Sequence, residues 1–437
     1  MFETYGVTVP EILLPDPARC DLAKWSVVAC DQFTSQPDYW KKVDEYVGGS
    51  PSALRLVLPE AYLSGGLSGR AAAINNKMGE YLNNNIFAEP YRGFILTERS
   101  FEGKSGAGSN RWGLILAIDL DKYSYDPNDR ALIRSSEETV RDRLPPRVEI
   151  RRGAPLELPH VLVLADDARR LLIEPLAEGA KAGLYKKAYD FELMEQGGHI
   201  RGYFIGGTAI PKIADAFASL LRNARAASAE PLLLAVGDGN HSLAAAKAYW
   251  DEIKGTTDAA QYSPARYALV EIINLYSDAV VFEPIHRALY QANHGEVINE
   301  AIKYFNGRGF SLKFNIGNNV GEPGLSGFDY LLTYGGGKSA ELRVDKPLTS
   351  LPVAEIQGFI DDFCEKNPGV KADYIHGKDE LARLGAEEGC FCFKLPPVVK
   401  SGFFTSLAAG GVMPRKAFSM GEAREKRYYL EARKITP

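Results

Sequence analysis

The chain has 437 residues, of which 45% are apolar and 24% are charged, and its net charge is −5. This composition is ordinary for a folded globular protein, and the length exceeds what one hydrophobic core usually serves. The acidic balance argues against a dedicated nucleic-acid binder and against a protein that binds anionic membranes. Small, diffusible partners are therefore favoured.

The amino-terminal residues and the cysteines indicate a compartment. An acidic residue stands near the start, where a signal peptide would be basic, and no apolar run approaches the length of a membrane span. The five cysteines are an odd number without a Cys-x-x-Cys pair, which is typical of reduced thiols. Cys390 and Cys392 are spaced to face the same side of a strand as packing residues. We expect a cytoplasmic protein that makes no membrane contact.

Apolar periodicity predicts alternating strands and helices over the first 290 residues. Strands are expected at 25–30, 94–97, 112–120, 160–165, 232–236 and 268–275, and helices at 36–47, 68–87, 210–228 and from 242 onward. The Gly-rich stretch 102–110 is predicted to be a hairpin loop. A dinucleotide-binding fingerprint is rejected there, because Arg111 stands where its last glycine should be.

Beyond residue 295 the pattern changes to helix, strand, hairpin and helix. Helices are expected at 297–305 and 353–363, and GGGKS within 330–344 is predicted to be a hairpin turn. A Walker A loop is rejected, because Leu332 occupies the place of its leading glycine. We therefore predict an α/β core over 1–290 and a smaller C-terminal α+β domain over 291–437 that contributes a basic loop.

The most informative stretch is LLLAVGDGNHSLAAAKAYW, residues 232–250, which predicts a strand, a tight turn and a helix. A helix that begins beside two glycines presents free backbone N–H groups, which suit a phosphate. Gly237, Asp238, Gly239, Asn240 and His241 form this turn. A simple helix cap by Asp238 or Asn240 is the alternative, but a cap requires only one polar residue.

Three predicted strands each end in a carboxylate: Asp31, the pair Asp166 and Asp167, and Asp238. Ligands gather at the carboxyl ends of strands in open α/β sheets, and carboxylates grouped there could hold Mg²⁺ or act as a base. Aspartate is also a common turn residue. The hypothesis requires that these strands be neighbours.

Basic residues provide further candidates for binding an anion. His286 and Arg287 follow Pro284 at an expected strand-to-helix junction, and Arg415 and Lys416 lie in a loop of the basic C-terminal tail. A bound triphosphate needs such cations to neutralise its charge. The dipole at a helix N-terminus stabilises an anion by only about 0.3 to 1 kcal/mol per charge. A structural histidine and a basic surface loop are the alternatives. The charged stretch 134–152, with Glu137, Arg141 and Arg143, is predicted to be mainly a solvated helix and turn.

Several motifs, taken in order, resemble the family known as domain of unknown function 1015. They are VGDGNHSLAAAKAYW, FEPIHR, YIHGKDEL and MPRKAFSM, and the likeness extends from WSVVACD to the carboxyl end. The family signature has histidine where Asn240 stands and arginine where Ser242 stands. The loss of that arginine removes a bidentate phosphate clamp.

The resemblance implies a mixed-sheet, ParB/sulfiredoxin-like core with insertions, and relatives that are free-serine kinases. It thus implies a kinase that uses Mg²⁺ and ATP or ADP to phosphorylate free L-serine. The implied catalytic residues are Asp238, His241 and Asp31, with Asp238 also holding the metal. The implied nucleotide-binding residues are Gly237, Gly239, Asn240, Ser242, Arg415 and Lys416, and His286 and Arg287 would bind the substrate.

Two other functions fit the sequence. One is a ParB-like nucleotide-binding switch. The acidic net charge and the lack of a helix-turn-helix signature argue against a switch that binds DNA. The other is a nucleotide-binding relative without catalysis, as the change at Ser242 allows. Phosphoryl transfer needs positioning, charge neutralisation and one base, and the residues leave Asp238 and Asp31 open as that base. We expect no nucleic-acid partner, and a homodimer is left open.

Overall fold

The computed structural model describes all residues except 35, 64–66, 102–109, 257–262, 316–324, 350, 415 and 437. The chain divides into two compact units. The first consists of Met1–Val281 and Gly421–Pro437, and the second of Phe282–Met420. The division therefore differs from the predicted boundary at residue 290, and the last residues of the chain belong to the first unit.

Helices and strands alternate irregularly in the first unit up to residue 281. The helices are α1 Leu22–Trp25, α2 Pro37–Val47, α3 Leu67–Asn83, α4 Leu144–Arg151, α5 Glu174–Lys181, α6 Ala209–Ala227 and α7 Asn240–Ile253. The strands are β1 Val7–Thr8, β2 Glu11–Ile12, β3 Tyr91–Arg92, β4 Phe94–Ser100, β5 Asn110–Asp119, β6 Tyr123–Ser124, β7 Ile133–Ser135, β8 Leu156–Glu157, β9 Leu162–Ala165, β10 Lys187–Glu192, β11 His199–Ile205, β12 Leu234–Asp238 and β13 Tyr267–Asn274.

The second unit is a smaller α+β unit, and one further strand follows it in the first. Its helices are α8 His294–Phe305, α9 Pro352–Lys366, α10 Lys378–Gly385 and α11 Phe403–Gly410. Its strands are β14 Phe282–Pro284, β15 His286–Tyr290, β16 Phe310–Asn315, β17 Asp329–Tyr334, β18 Lys338–Val344, β19 Lys371–Ile375, β20 Cys390–Lys394 and β21 Phe418–Met420, and β22 is Arg433–Lys434. Short 3-10 helices occur at Glu3–Tyr5, Ala53–Arg55, Glu60–Tyr62, Leu120–Lys122, Arg141–Arg143, Ser263–Arg266, Lys400–Gly402 and Ala423–Glu425.

A mixed, ten-stranded sheet organises the first unit. Its order is β10-β11-β4-β5-β13-β9-β12-β7-β6, with β1 also paired to β5. The pairs β13–β9, β12–β7 and β6–β7 are parallel, and the pair β12–β9 is antiparallel. Strands β9 and β13 are buried along almost their whole length, which explains why their sequences are continuous apolar runs rather than alternating ones. The predicted mixed α/β class is confirmed.

The second unit is built on a six-stranded sheet of order β16-β18-β17-β20-β15-β19, in which every pair is antiparallel. The predicted hairpin at 330–344 is confirmed as β17 and β18, and Gly335, Gly336 and Gly337 all have positive φ in its turn. Cys390 and Cys392 lie on the same side of β20, with their sulfurs 3.7 Å apart.

The C-terminal residues 421–436 are built into the core of the first unit. Leu13 pairs with Ala432, Val28 pairs with Arg427, and β22 pairs with β8. Apolar side chains of this segment are buried in the main core. Burial of apolar surface therefore holds this segment in the first unit.

The prediction of a strand at 25–30 is wrong. Residues Leu22–Trp25 form a short helix, and Val28 makes only an isolated bridge. The backbone partner of this stretch is the C-terminal segment, since the Ala29 amide donates to the Lys426 carbonyl at 2.8 Å. A partner about 400 residues away could not be read from local periodicity.

Candidate active site

The turn between β12 and α7 has the geometry predicted for residues 237–241. Gly239 is the N-cap of α7 and has φ +81°, and a Cβ atom there would lie 3.1 Å from the Cα of Val161. Both the left-handed backbone and the close approach favour glycine. The helix has no side-chain cap, so neither Asp238 nor Asn240 serves as a simple cap. The polar residues of the turn are thus available for other contacts.

Two of these polar residues are held by a neighbouring segment. The Oδ1 atom of Asn240 is 2.6 Å from the hydroxyl of Ser135, which donates the hydrogen bond. The Nε2 atom of His241 accepts from the Val140 amide at 3.2 Å. Burial lowers the pKa of His241 to about 4, so its ring is neutral near pH 7 and acts as an acceptor. His241 therefore positions the segment around residue 140 against the start of α7.

The antiparallel pairing of β9 and β12 decides which side chains meet at this turn. Asp238 at the end of β12 pairs with Leu162 at the start of β9, so His160 lies at the same end of the sheet. Asp166 and Asp167 follow β9 and lie at the opposite end. The hypothesis that these two carboxylates join Asp238 is wrong, because the strands run in opposite directions.

A mostly buried lysine from the C-terminal segment faces the turn. The Nζ atom of Lys426 is 3.3 Å from Oδ1 of Asp238, and the two side chains are 13% and 19% exposed. Burial by itself would lower the pKa of Lys426, but the carboxylates of Asp238 and Asp31 raise it above its ordinary value. Lys426 is therefore a fixed cation beside two carboxylates.

Asp31 belongs to the same polar cluster, although it does not follow a strand. Its Oδ1 atom accepts from the side-chain amide of Gln32 at 2.9 Å. Burial alone would raise the pKa of this carboxyl, but His160, Gln32, Lys426 and Arg147 together hold it below its ordinary value. Asp31 is thus an ionised carboxylate at neutral pH and a suitable hydrogen-bond acceptor.

His160 links the cluster to the first turn of α7. Its Nε2 atom is 3.0 Å from the hydroxyl of Ser242, and its ring packs edge-on against Tyr428 with the centroids 4.7 Å apart. Burial lowers the pKa of His160 and outweighs the carboxylates of Asp31 and Asp238, so the neutral ring is favoured. Its Nδ1 atom is buried and has no hydrogen-bond partner in the described part of the chain.

An apolar cavity opens beside this polar cluster. Its volume is about 150 Å³, and it is partly open to solvent. His160, Ser242 and Arg147 lie at its polar end, and Arg147 forms an ion pair with Glu60. The apolar wall includes Leu56, Leu58, Met78, Ile150, Leu156, Leu243, Ala245 and Ala246.

The remaining predicted residues lie in the second unit. His286 and Arg287 are in β15, so the expected strand-to-helix junction is wrong. Arg287 is fully buried, and its guanidinium donates to Oε1 of Gln357 at 2.7 Å and to the Lys416 carbonyl at 3.2 Å. The Nδ1 atom of His286 accepts from a backbone amide.

These contacts give both side chains structural roles in the second unit. The turn, by contrast, belongs to the first unit. Lys416 has φ +53°, and Arg415 lies outside the described residues.

Sequence reasoning missed four side chains that the fold brings to the turn: His160, Lys426, Arg147 and Ser135. Only weak signals marked them. His160 begins the predicted strand 160–165, Lys426 lies in the basic C-terminal tail, and Arg147 lies in the charged stretch 134–152. Each acquires its importance from a partner distant in sequence.

The carboxylates of this site suit a metal ion that is coordinated mainly by the oxygens of a bound phosphate ligand and by water. No group of three or more histidine, cysteine, aspartate or glutamate side chains that could hold a metal ion is found among the described residues. Mg²⁺ usually takes only one or two protein carboxylates and completes its shell with phosphate and water. Asp238 and Asp31 fit that pattern.

In the described ranges, no helix is both long and apolar enough to cross a membrane.

Comparison with known families shows where this chain belongs. The family model described as "Protein of unknown function (DUF1015)" matches residues 14–363. The chain is therefore a member of this family, as its motifs predicted. No curated protein matches the sequence.

Distant likenesses to solved structures were also found. A conserved hypothetical protein from Pyrococcus furiosus is 12% identical with a TM-score of 0.35, and the match covers 70% of this chain and 90% of that one. A free serine kinase variant in complex with AMP is 13% identical with a TM-score of 0.40, covering 74% and 91%. SbnI from Staphylococcus aureus, truncated at its C-terminus, is 10% identical with a TM-score of 0.35, covering 70% and 82%.

Proposed function

We propose that the protein is a nucleotide-dependent phosphotransferase that phosphorylates the hydroxyl of free L-serine, using ATP or ADP as donor and giving O-phosphoserine. The observation that carries the phosphotransferase proposal is the position of Lys426. Its ammonium group is mostly buried and lies 3.3 Å from the carboxylate of Asp238, two residues before α7 begins without a side-chain cap. The choice of serine follows the family resemblance of the motifs.

The nucleotide would lie with its base in the cavity and its phosphates at the turn. The apolar wall matches the faces of a purine ring, and the polar end carries Arg147 and Ser242. The backbone N–H groups of Asn240 and His241 would receive the phosphates, since the start of α7 concentrates partial positive charge. The amides of Ser242 and Leu243 already donate to the Gly239 carbonyl. Arg147 lines the same cavity as Ser242 and would bind phosphate in exchange for its ion pair with Glu60.

The reacting groups follow from the charges. Phosphoryl transfer depends mainly on positioning and on neutralising charge at the transferred group and the leaving oxygen. Lys426 provides a fixed positive charge without a conformational change. Asp31, an ionised carboxylate, would accept the hydrogen bond of the acceptor hydroxyl and orient it. Asp238 would hold Mg²⁺ together with the nucleotide phosphates, and the ion would neutralise phosphate charge.

His286 and Arg287 would not bind the substrate. The Arg287 guanidinium is fully buried and already bonded within its own unit, so a new partner would have to break those bonds. A nucleotide-binding switch remains the second candidate, because the same turn and cavity would serve a nucleotide that is bound without transfer.

One experiment separates the two candidates. Purified protein is incubated with Mg²⁺, ATP or ADP, and each small hydroxylated amino acid in turn, and phosphorylated products are detected by mass spectrometry. Formation of O-phosphoserine that requires both nucleotide and serine supports the kinase. Submicromolar nucleotide binding without any phosphorylated amino acid supports the switch and rejects the kinase.

A further inference from the structure

The pair formed by Ser242 and His160 carries an inference that rests on the proposed function and deepens it. The hydroxyl of Ser242 is 3.0 Å from Nε2 of His160, within hydrogen-bond reach. Both side chains line the cavity assigned to the nucleotide. A hydroxyl beside a neutral imidazole is the arrangement that activates a nucleophile in many transferases and hydrolases.

We propose that Ser242 is a covalent nucleophile, which takes the terminal phosphoryl group of the nucleotide and then passes it to the acceptor. Ser242 lies in the first turn of α7, at the helix end where the phosphates are proposed to bind. Arg147 lines the same cavity and is paired with Glu60.

The environment of His160 suits a general base. Its side chain is 91% buried, since its exposed fraction is 9%, and burial favours the neutral ring. For Nε2 to accept the serine proton, Nδ1 must carry the other ring hydrogen. Nδ1 is buried and has no hydrogen-bond partner in the described part of the chain. The carboxylates of Asp31 and Asp238 favour the imidazolium that forms, whereas burial and the charges of Arg147 and Lys426 outweigh them and keep the resting ring neutral.

The first half-reaction is balanced by the residues present. The Oγ atom of Ser242 attacks the terminal phosphorus, an O–P bond forms, and the bond from phosphorus to the bridging oxygen breaks. The electron pair leaves with the shortened nucleotide, whose charge Lys426 neutralises. The proton of Ser242 moves to Nε2 of His160.

The second half-reaction restores the enzyme. The acceptor hydroxyl attacks the phosphorus on Ser242 and gives its proton to Asp31, and the P–O bond to Ser242 breaks. Oγ takes its proton back from His160, and Asp31 releases its proton to water. The phosphoester on Ser242 and the product phosphoester are both esters of a primary alcohol, so this transfer is close to thermoneutral when the acceptor is serine.

The test looks for the covalent intermediate in the full-length protein. Protein is incubated with Mg²⁺ and ATP labelled with ³²P at the terminal phosphate, without serine, and is then denatured and digested. We expect an alkali-labile label on the peptide that contains Ser242, and its transfer to O-phosphoserine when unlabelled serine is added before the quench. Exchange of labelled ADP into ATP without serine is the second expected signal.

Variants locate the label. Ser242→Ala should lose the label and the ADP–ATP exchange by at least ~100-fold, consistent with loss of a nucleophile. Ser242→Thr, which keeps a hydroxyl, should restore part of both signals. Ser219→Ala on α6 is the matched control, since Ser219 only bonds the Asp215 carbonyl and a side chain of its own helix. Circular dichroism verifies that the variants fold.

The outcomes distinguish the two proposals. If serine and nucleotide give O-phosphoserine but no label or exchange appears, transfer is direct and the nucleophile role of Ser242 is overturned, while the kinase stands. If Ser242 is labelled but the label passes only to water, the nucleophile role stands and the serine kinase fails. A label that maps to another residue also overturns the inference.

Discussion

The Nζ atom of Lys426 lies 3.3 Å from Oδ1 of Asp238, although the two residues are separated by 188 positions in the sequence. Between them the chain leaves the first unit, builds the whole of the second unit and returns. The C-terminal segment therefore does more than complete the core, because it places a buried cation at the turn that starts α7. This relationship yields the first prediction.

Lys426→Met should preserve the fold and remove the cation from the turn. Asp238 and Asp31 would then repel the nucleotide phosphates, so nucleotide affinity should fall by about 100-fold, in line with about 2 to 5 kcal/mol for a buried charge partner. Isothermal titration calorimetry with ATP and ADP measures the effect. Lys434→Met, at an exposed position of the same segment, is the control. Equal affinities of the two variants would place the phosphates elsewhere.

Removing the negative charge of Asp31 and removing that of Asp238 should affect turnover and nucleotide binding differently. Asp31→Asn should lower turnover by at least ~100-fold while nucleotide affinity stays near the wild-type value, because the acceptor loses its orienting group. Asp238→Asn should weaken binding of the magnesium nucleotide, since it removes an anionic ligand. Steady-state kinetics and calorimetry separate the two effects. The opposite pattern would exchange the roles of the two residues.

Gly239→Ala should strain the turn. The position has φ +81°, and the new Cβ atom would lie 3.1 Å from a backbone carbon of Val161. We expect a loss of about 1 to 2 kcal/mol in the free energy of unfolding, measured in urea, and weaker nucleotide binding. Gly69→Ala in α3 is the control, because open space surrounds that position and alanine favours a helix. A Gly239 variant as stable as the wild type would contradict the assigned backbone geometry.

Nucleotide affinity should depend on the volume of the cavity. Ala245 lines the cavity and is buried, so Ala245→Leu would project three further carbons into the space assigned to the base. We expect nucleotide affinity to fall by more than ~10-fold, which corresponds to about 1.4 kcal/mol, without a loss of thermal stability. Ala248→Leu on the same helix, at a partly exposed position, is the comparison. Unchanged affinity in the Ala245 variant would show that the base binds outside this cavity.

Glu431 should make stability depend on pH. Burial raises its pKa from the ordinary value of 4.5 to about 7, and Tyr189 donates a hydrogen bond to its Oε1 atom. Between these pH values the native state holds a proton that the unfolded chain has lost. The free energy of unfolding therefore falls as the pH rises through this range and is level above it, as far as this group is concerned.

Glu431→Gln removes this titration. Relative to the wild type, the variant should gain on the order of 1 to 3 kcal/mol in the free energy of unfolding between pH 4.5 and pH 8. Urea denaturation at both pH values measures the difference, with Glu89→Gln at an exposed position as the control. A difference between variant and wild type that is the same at both pH values would reject the raised pKa.

Much of the local structure could be predicted from the sequence. The helix at Pro37–Val47 and the strands on either side of the 330–344 turn follow from periodicity and turn residues, which act over a few positions. The turn from Gly237 to His241 was also identified, because glycine and polar residues there interrupt an apolar strand and a helix pattern. The stretch 25–30 was predicted wrongly, since its partner is the C-terminal segment.

The sequence by itself determined the family, the mixed α/β class and the central turn. Motifs, apolar periodicity and turn residues indicate them, and each of these signals acts over a few neighbouring positions. Only the tertiary structure decided which charges surround that turn. The antiparallel pairing of β9 and β12 brings His160 to Asp238 and sends Asp166 away, and the return of the chain brings Lys426. Strand direction and chain return depend on burying apolar surface across the whole unit, and so no local pattern records them.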